Sequence, residues 1–127
     1  DPPGSGNLFQ GNNATTFAQT SDIRIKKNIV DNNIGLEKIN QIQVRNFEYK
    51  TEDEITELPS HAAIKKEGLQ LGVIAQEIED ILPDIVHTED TGCKTVNPDN
   101  MTWYLVNAVK ELSVQLEELK GKLNQGE

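Results

Sequence analysis

A chain of 127 residues has the length of one domain, but 35% hydrophobic and 5% aromatic content is a thin supply of core. Part of the apolar surface is therefore expected to be buried between chains. A formal net charge of −9 argues against non-specific DNA or RNA binding, which needs a basic face. The single cysteine, Cys93, excludes an intrachain disulfide and a cysteine metal cluster, and no apolar run approaches the ~20 residues of a membrane span.

Residues 1–20 carry one acid and no base, with turn-forming Gly, Asn and Thr around two isolated aromatics, Phe9 and Phe17. They read as loop or short edge strand. The following Ser21-Asp22-Ile23-Arg24-Ile25-Lys26-Lys27-Asn28-Ile29 is, by residue type alone, an ordinary basic segment. Apolar residues at 34, 36, 39 and 42 have near-helical spacing and predict a short helix from Ile34 to Ile42. Gln43 to Lys50 reads as a strand, residues 51–68 as a charged surface loop with one helical turn, and Leu69 to Ile74 as a second strand. Ala75 to Leu82 places apolar 75, 78, 81 and 82 on one helical stripe, which Pro83 ends. Residues 88–94 read as a turn between extended Asp84–His87 and Lys94–Val96.

Asn97-Pro98-Asp99 supplies start signals for one long helix from Asp99 to about Asn124. Leu105, Val109, Leu112, Leu116, Leu119 and Leu123 follow spacings of 4, 3, 4, 3 and 4. That is an unbroken heptad seam, with Leu105, Leu112 and Leu119 at d and Val109, Leu116 and Leu123 at a. The other reading is an amphipathic helix packed on its own domain; the strict 3.5 period favours a coiled coil. Leucine at both positions does not set the strand number. The fold class expected is α+β, short strands and helices followed by a long C-terminal helix.

Other candidates carry less. His61 and His87 lie in separate segments without metal-ligand spacing, and no metal site or cofactor is expected. Glu77, Glu79 and Asp80 read as a solvated helix face. Trp103 and Tyr104 read as core or interface anchors near the helix start.

Four pieces in order give a resemblance. Ser21 to Ile29 resembles the opening motif of the S74 peptidase family, the intramolecular chaperone auto-processing domains. Gly72-Val73-Ile74-Ala75-Gln76-Glu77-Ile78 with Pro83 and Val86 resembles its central signature. Leu36-Glu37-Lys38-Ile39 with Phe47-Glu48-Tyr49-Lys50 resembles the segment between, and Ala108-Val109-Lys110-Glu111-Leu112 the terminal helix. Such domains end trimeric phage tail spikes, tail fibres and neck appendages, help the fibre fold and trimerise, and cut themselves off before the motif serine.

The resemblance implies cleavage at Thr20–Ser21, with Ser21 as nucleophile and Lys26 as base. Residues 1–20 would be the end of the upstream fibre, and 21–127 the chaperone domain with helix 99–124. It also implies a homotrimer with a parallel coiled coil. Its partner is its own upstream fibre, with no nucleic acid or membrane partner, and it acts in the host cytoplasm during virion assembly. It would be a single-turnover self-cleaving serine endopeptidase, not a general protease. Gln76 and Glu77 would be structural or interface residues.

The chemistry has clear requirements. A serine hydroxyl needs its proton removed, and lysine can take it only when neutral, although free lysine sits near pKa ~10.4. Burial or nearby positive charge must favour the neutral amine; Arg24 and Lys27 are the sequence neighbours able to help. Residues five apart point to opposite faces of a strand and lie about 140° apart on a helix. Ser21 and Lys26 of one chain therefore meet only if the backbone turns between them; otherwise Lys26 meets a neighbour's Ser21, and Lys27 shares the strand face. Two alternatives stand beside this reading: an uncleaved structural trimerisation tip, and the self-cleaving domain of a membrane-tethered transcription factor.

Overall fold

The computed structural model describes Leu8–Phe9 and residues 18–126. The chain divides into two compact units, Asp1–Asn32 and Asn33–Glu127. In the first, β1 (Leu8–Phe9) pairs antiparallel with β2 (Ala18–Gln19), Leu8 opposite Gln19. Phe17, singled out above, lies outside the described residues. A 3-10 turn follows at Ile23–Ile25.

The second unit is built on a small apolar centre. Ile78, Leu82, Ile85 and Tyr104 are buried together, with Ile34, Ile39, Ile42, Val73, Ile81, Val86, Val96 and Met101 packed around them. Ile78 and Ile81 come from α2 (Ala75–Ile81), Leu82 from its end, and Ile85 from the 3-10 turn Pro83–Ile85 that follows. Pro83 cannot donate a backbone hydrogen bond, so the helix stops at Leu82, and Ile85 is turned back onto Ile78.

Two antiparallel ribbons flank this centre. β3 (Arg45–Phe47) pairs with β4 (Gln70–Gly72), and β5 (Val86–Thr88) with β6 (Lys94–Val96). The second ribbon closes through Gly92 at φ +91°, a left-handed turn position natural to glycine. Both strands of the first are shorter than the alternation predicts. The segment 51–68 between them contains two 3-10 turns, Glu52–Glu54 and Ser60–Ala62, where one helical turn was expected.

α3 (Pro98–Gln125) is 28 residues long, about 42 Å at ~1.5 Å per residue. The Asn97 side chain accepts from the Asp99 amide at 2.9 Å, and Pro98 occupies the first turn. The helix predicted over 34–42 is a single turn, α1 (Leu36–Ile39), continued by hydrogen-bonded turns to Ile42. Its start is held by α3: Asn107 donates to the Ile34 carbonyl at 2.8 Å, and the Glu111 carboxylate accepts from the Leu36 amide at 2.9 Å. Gly35 sits against α3 so closely that a Cβ would lie 3.0 Å from the Ala108 backbone nitrogen. The architecture is α+β, short strands and helices followed by one long C-terminal helix.

Candidate functional site

The Ser21 segment folds on itself through its own side chains. Asp22 caps the Ile23–Ile25 turn, its Oδ1 accepting from the Arg24 amide at 2.8 Å. The same carboxylate receives the Arg24 guanidinium, Nε to Oδ1 at 3.1 Å and Nη2 to Oδ2 at 2.8 Å. Backbone bonds from Ile25 to Asp22 and from Lys26 to Ile23 complete the turn. It brings Lys26 Nζ to 2.7 Å from Ser21 Oγ, donating to it.

This turn is what a strand or a helix could not supply. It brings Ser21 and Lys26 together within one chain; Lys27 makes no ion pair or side-chain hydrogen bond among the described residues. The signal for it was present in Asp22, a capping residue type two positions before the amide it binds. Arg24 does not supply the positive neighbour anticipated above. Its hydrogen bonds to Asp22 hold the Asp22 carboxyl below the usual carboxylate range and raise the Arg24 guanidinium, so the two charges are spent on each other. Every residue from Ser21 to Val30 is exposed.

The other residues of the sequence reading fall on the second unit. Glu77, on α2, forms a two-pronged pair with Arg45 on β3, Nε to Oε1 and Nη2 to Oε2 both at 2.8 Å. The guanidinium lowers the Glu77 carboxyl, and the pair ties the first ribbon to the helix. Tyr104 is buried, its hydroxyl donating to Asp84, while its neighbour Trp103 is exposed. Leu105, Val109, Leu112, Leu116, Leu119 and Leu123 are 46–65% exposed, forming one continuous uncovered stripe along α3. Asn107 and Glu111, which dock α1, escaped the sequence reading because they are polar residues on a helix judged by its apolar period. Among the described residues, no helix is long and apolar enough to cross a membrane.

The chain is similar to the long tail fiber protein Gp37 of Enterobacteria phage K3, 34% identical over 122 residues that cover 91% of this chain and 9% of that protein. Gp37 of phage M1 is 26% identical over 124 residues, covering 95% of this chain and 44% of the fibre protein. Myelin gene regulatory factor-like A of Dictyostelium discoideum is 31% identical over 116 residues, 81% of this chain and 12% of that protein. The chain thus spans less than half the length of these curated relatives. The family model described as chaperone of endosialidase, Peptidase S74, matches residues 21–87, just over half of the chain and beginning at Ser21 itself. With that match and these fibre relatives, the chain belongs to the Peptidase S74 family of endosialidase-type chaperones.

Proposed function

We propose that this chain is the C-terminal intramolecular chaperone of a phage fibre, that it trimerises through the α3 stripe, and that it releases itself by one cut at Thr20–Ser21. The observation that carries the reading is the 2.7 Å hydrogen bond between Lys26 Nζ and Ser21 Oγ. In this contact Nζ donates to the hydroxyl and holds it in place. When the lysine loses its proton, the same contact reverses: Ser21 Oγ donates to Nζ, and the oxygen becomes nucleophilic.

Ser21 owns the amide nitrogen of the bond to be cut, so Oγ can reach the Thr20 carbonyl carbon through a five-membered ring. Lys26 takes the hydroxyl proton as the C–O bond forms. It returns a proton to the leaving nitrogen as the C–N bond breaks, giving an ester between Thr20 and Ser21. Water then hydrolyses the ester, leaving a Thr20 carboxylate and a free Ser21 hydroxyl. Each chain performs this once, during virion assembly in the host cytoplasm, and no metal or cofactor takes part.

Mass spectrometry of freshly expressed protein tests this. Wild type is expected as a fragment beginning at Ser21. Ser21→Ala is expected intact and still folded, because an exposed substitution typically costs under ~0.5 kcal/mol. Lys26→Ala should block or strongly slow the cut, and Lys27→Ala should slow it only modestly. Normal processing by Ser21→Ala removes the mechanism; an inactive Lys27→Ala with an active Lys26→Ala moves the base by one residue.

One alternative shares the α3 stripe: a trimerisation tip that never cuts. The exposure of both Ser21 and Lys26 in a single chain favours it, since nothing there shields the pair from water. An intact wild-type mass in a trimeric sample would select it. The transcription-factor alternative rests on the Dictyostelium relative, whereas the fibre reading rests on several phage fibre proteins.

A further inference from the structure

The turn that brings Lys26 to Ser21 has no packing to hold it. None of Ile23–Ile25 is buried, and the backbone bonds from Ile25 to Asp22 and from Lys26 to Ile23 are 3.2 and 3.1 Å long. The shortest bond in it is the cap, from the Arg24 amide to the Asp22 carboxylate at 2.8 Å. A side chain binding the backbone in this way is a large share of what fixes so short a turn.

That cap carries a hazard. It places a carboxylate next to the nucleophile, four residues before the lysine that serves it. A lysine stem that reaches Ser21 can reach the neighbouring Asp22 too, and a carboxylate is a stronger acceptor for an ammonium than a hydroxyl is. Captured there, Lys26 would leave Ser21 and hold its proton more tightly. In the structure the capture does not occur, because Arg24 is there first. Asp22 Oδ1 accepts from the Arg24 amide and, at 3.1 Å, from Nε; Oδ2 accepts from Nη2 at 2.8 Å and from Nε at 3.3 Å. A planar guanidinium engages both carboxylate oxygens at once, as one ammonium cannot. Lys26 Nζ is left on Ser21 Oγ at 2.7 Å. Lys27 and Asp31, the other charged residues of this stretch, join no ion pair among the described residues.

We propose that Arg24 is a positioning residue of the cut: it occupies Asp22, so that Asp22 caps the turn without capturing Lys26, and the amine stays on Ser21. Asp22 supplies the geometry, and Arg24 removes the charge that comes with it. A cap without charge would need no Arg24. The inference rests on the reading that Ser21 and Lys26 perform the cut.

The test uses the whole chain, made by cell-free synthesis and brought to a series of neutral and alkaline pH values, with the cut followed by mass spectrometry. Arg24→Ala should cut about threefold more slowly at neutral pH, the scale of one exposed ion pair, and its pH–rate midpoint should move to higher pH. Asp22→Asn, whose amide oxygen caps about as well as a carboxylate, should cut within about twofold of wild type. Adding Asp22→Asn to Arg24→Ala should restore both rate and midpoint, because no anion is left to capture Lys26. Wild-type cutting by Arg24→Ala overturns the proposal. So does a slow Arg24→Ala that Asp22→Asn fails to rescue, since an arginine that only braced the fold would leave both slow. A second readout does not need the cut. In intact Ser21→Ala protein, NMR titration of the Lys26 ε-carbon should give a midpoint that rises with Arg24→Ala and returns when Asp22→Asn is added. A midpoint that does not move overturns the proposal and leaves self-cleavage standing. A wild-type chain that never cuts removes the self-cleavage reading, and the titration then decides whether Arg24 keeps Asp22 from Lys26.

Discussion

Two faces of α3, about 100° apart at ~100° per residue, meet different fates. On one, Tyr104 and Ala108 are 8% and 4% exposed, and Asn107 and Glu111 hold the start of α1. On the other, Leu105 to Leu123 carry the better apolar pattern and touch no other element enough to be covered. The face richer in leucine is the exposed one. A helix packed for its own domain alone would show the reverse. The difference assigns the first face to the fold of one chain and leaves the second open, as the proposed trimer seam would require.

The largest expected effect comes from attacking the open face. Leu112→Asp with Leu116→Asp places charge at adjacent d and a positions, where an unpaired buried charge is strongly penalised in an assembled seam. Both sites are exposed in the single chain, so the domain should fold. Sedimentation at micromolar concentration is expected to give monomers, and the cut at Thr20–Ser21 should be lost. Trimers of this variant would show that the stripe is not the interface. Monomers that cut at the wild-type rate would show that the site is complete within one chain.

The docked face should respond in the opposite sense. Gly35→Ala puts a methyl group 3.0 Å from the Ala108 backbone nitrogen and 2.9 Å from Glu111 Oε1. The helix backbone cannot give way, so α1 must lift. Overpacking of this kind typically costs about 1–3 kcal/mol. Thermal unfolding should shift down while trimer mass at low temperature persists. An unchanged melting temperature would mean that the α1 contact contributes little to the domain.

How much of this the sequence disclosed follows the same division. Apolar spacing exposed the long helix α3 and α2 with its stop at Pro83, and alternation exposed the strands β3 and β4 but not their pairing; β5 and β6 were legible from the turn between them, with Asp84 and Ile85 falling in a 3-10 turn instead of the strand. α1 was drawn too long because its apolar spacing continues to Ile42, while its start is set by Asn107 and Glu111, more than seventy residues away. No local pattern reports such a partner. At the candidate site, strand and helix periods both kept Ser21 and Lys26 apart. The Asp22 cap and its ion pair with Arg24 make a turn of neither period. The residue types were legible there, and the geometry was decided by one side chain binding its own backbone.

The smallest effect is expected where the docked face meets the 83–85 turn. Tyr104 donates its hydroxyl to the Asp84 carboxylate, and this bond, followed by burial, raises the phenol above its ordinary value. Tyr104→Phe keeps the ring in the core and removes only the bond, a loss of about 1 kcal/mol. A phenol that ionises less readily folded than unfolded stabilises the fold while it stays protonated. The contribution is therefore fully present below the unfolded phenol value of ~10 and is lost as the pH rises through the higher folded value. Denaturant unfolding of wild type and Tyr104→Phe should differ at neutral pH, and the gap should close on the alkaline side. Trp103, one residue away but exposed, is the control: in the non-assembling Leu112/Leu116 background, Trp103→Ala should leave the midpoint unchanged. A Tyr104→Phe midpoint equal to wild type at neutral pH would assign the anchoring of this face to the Tyr104 ring alone.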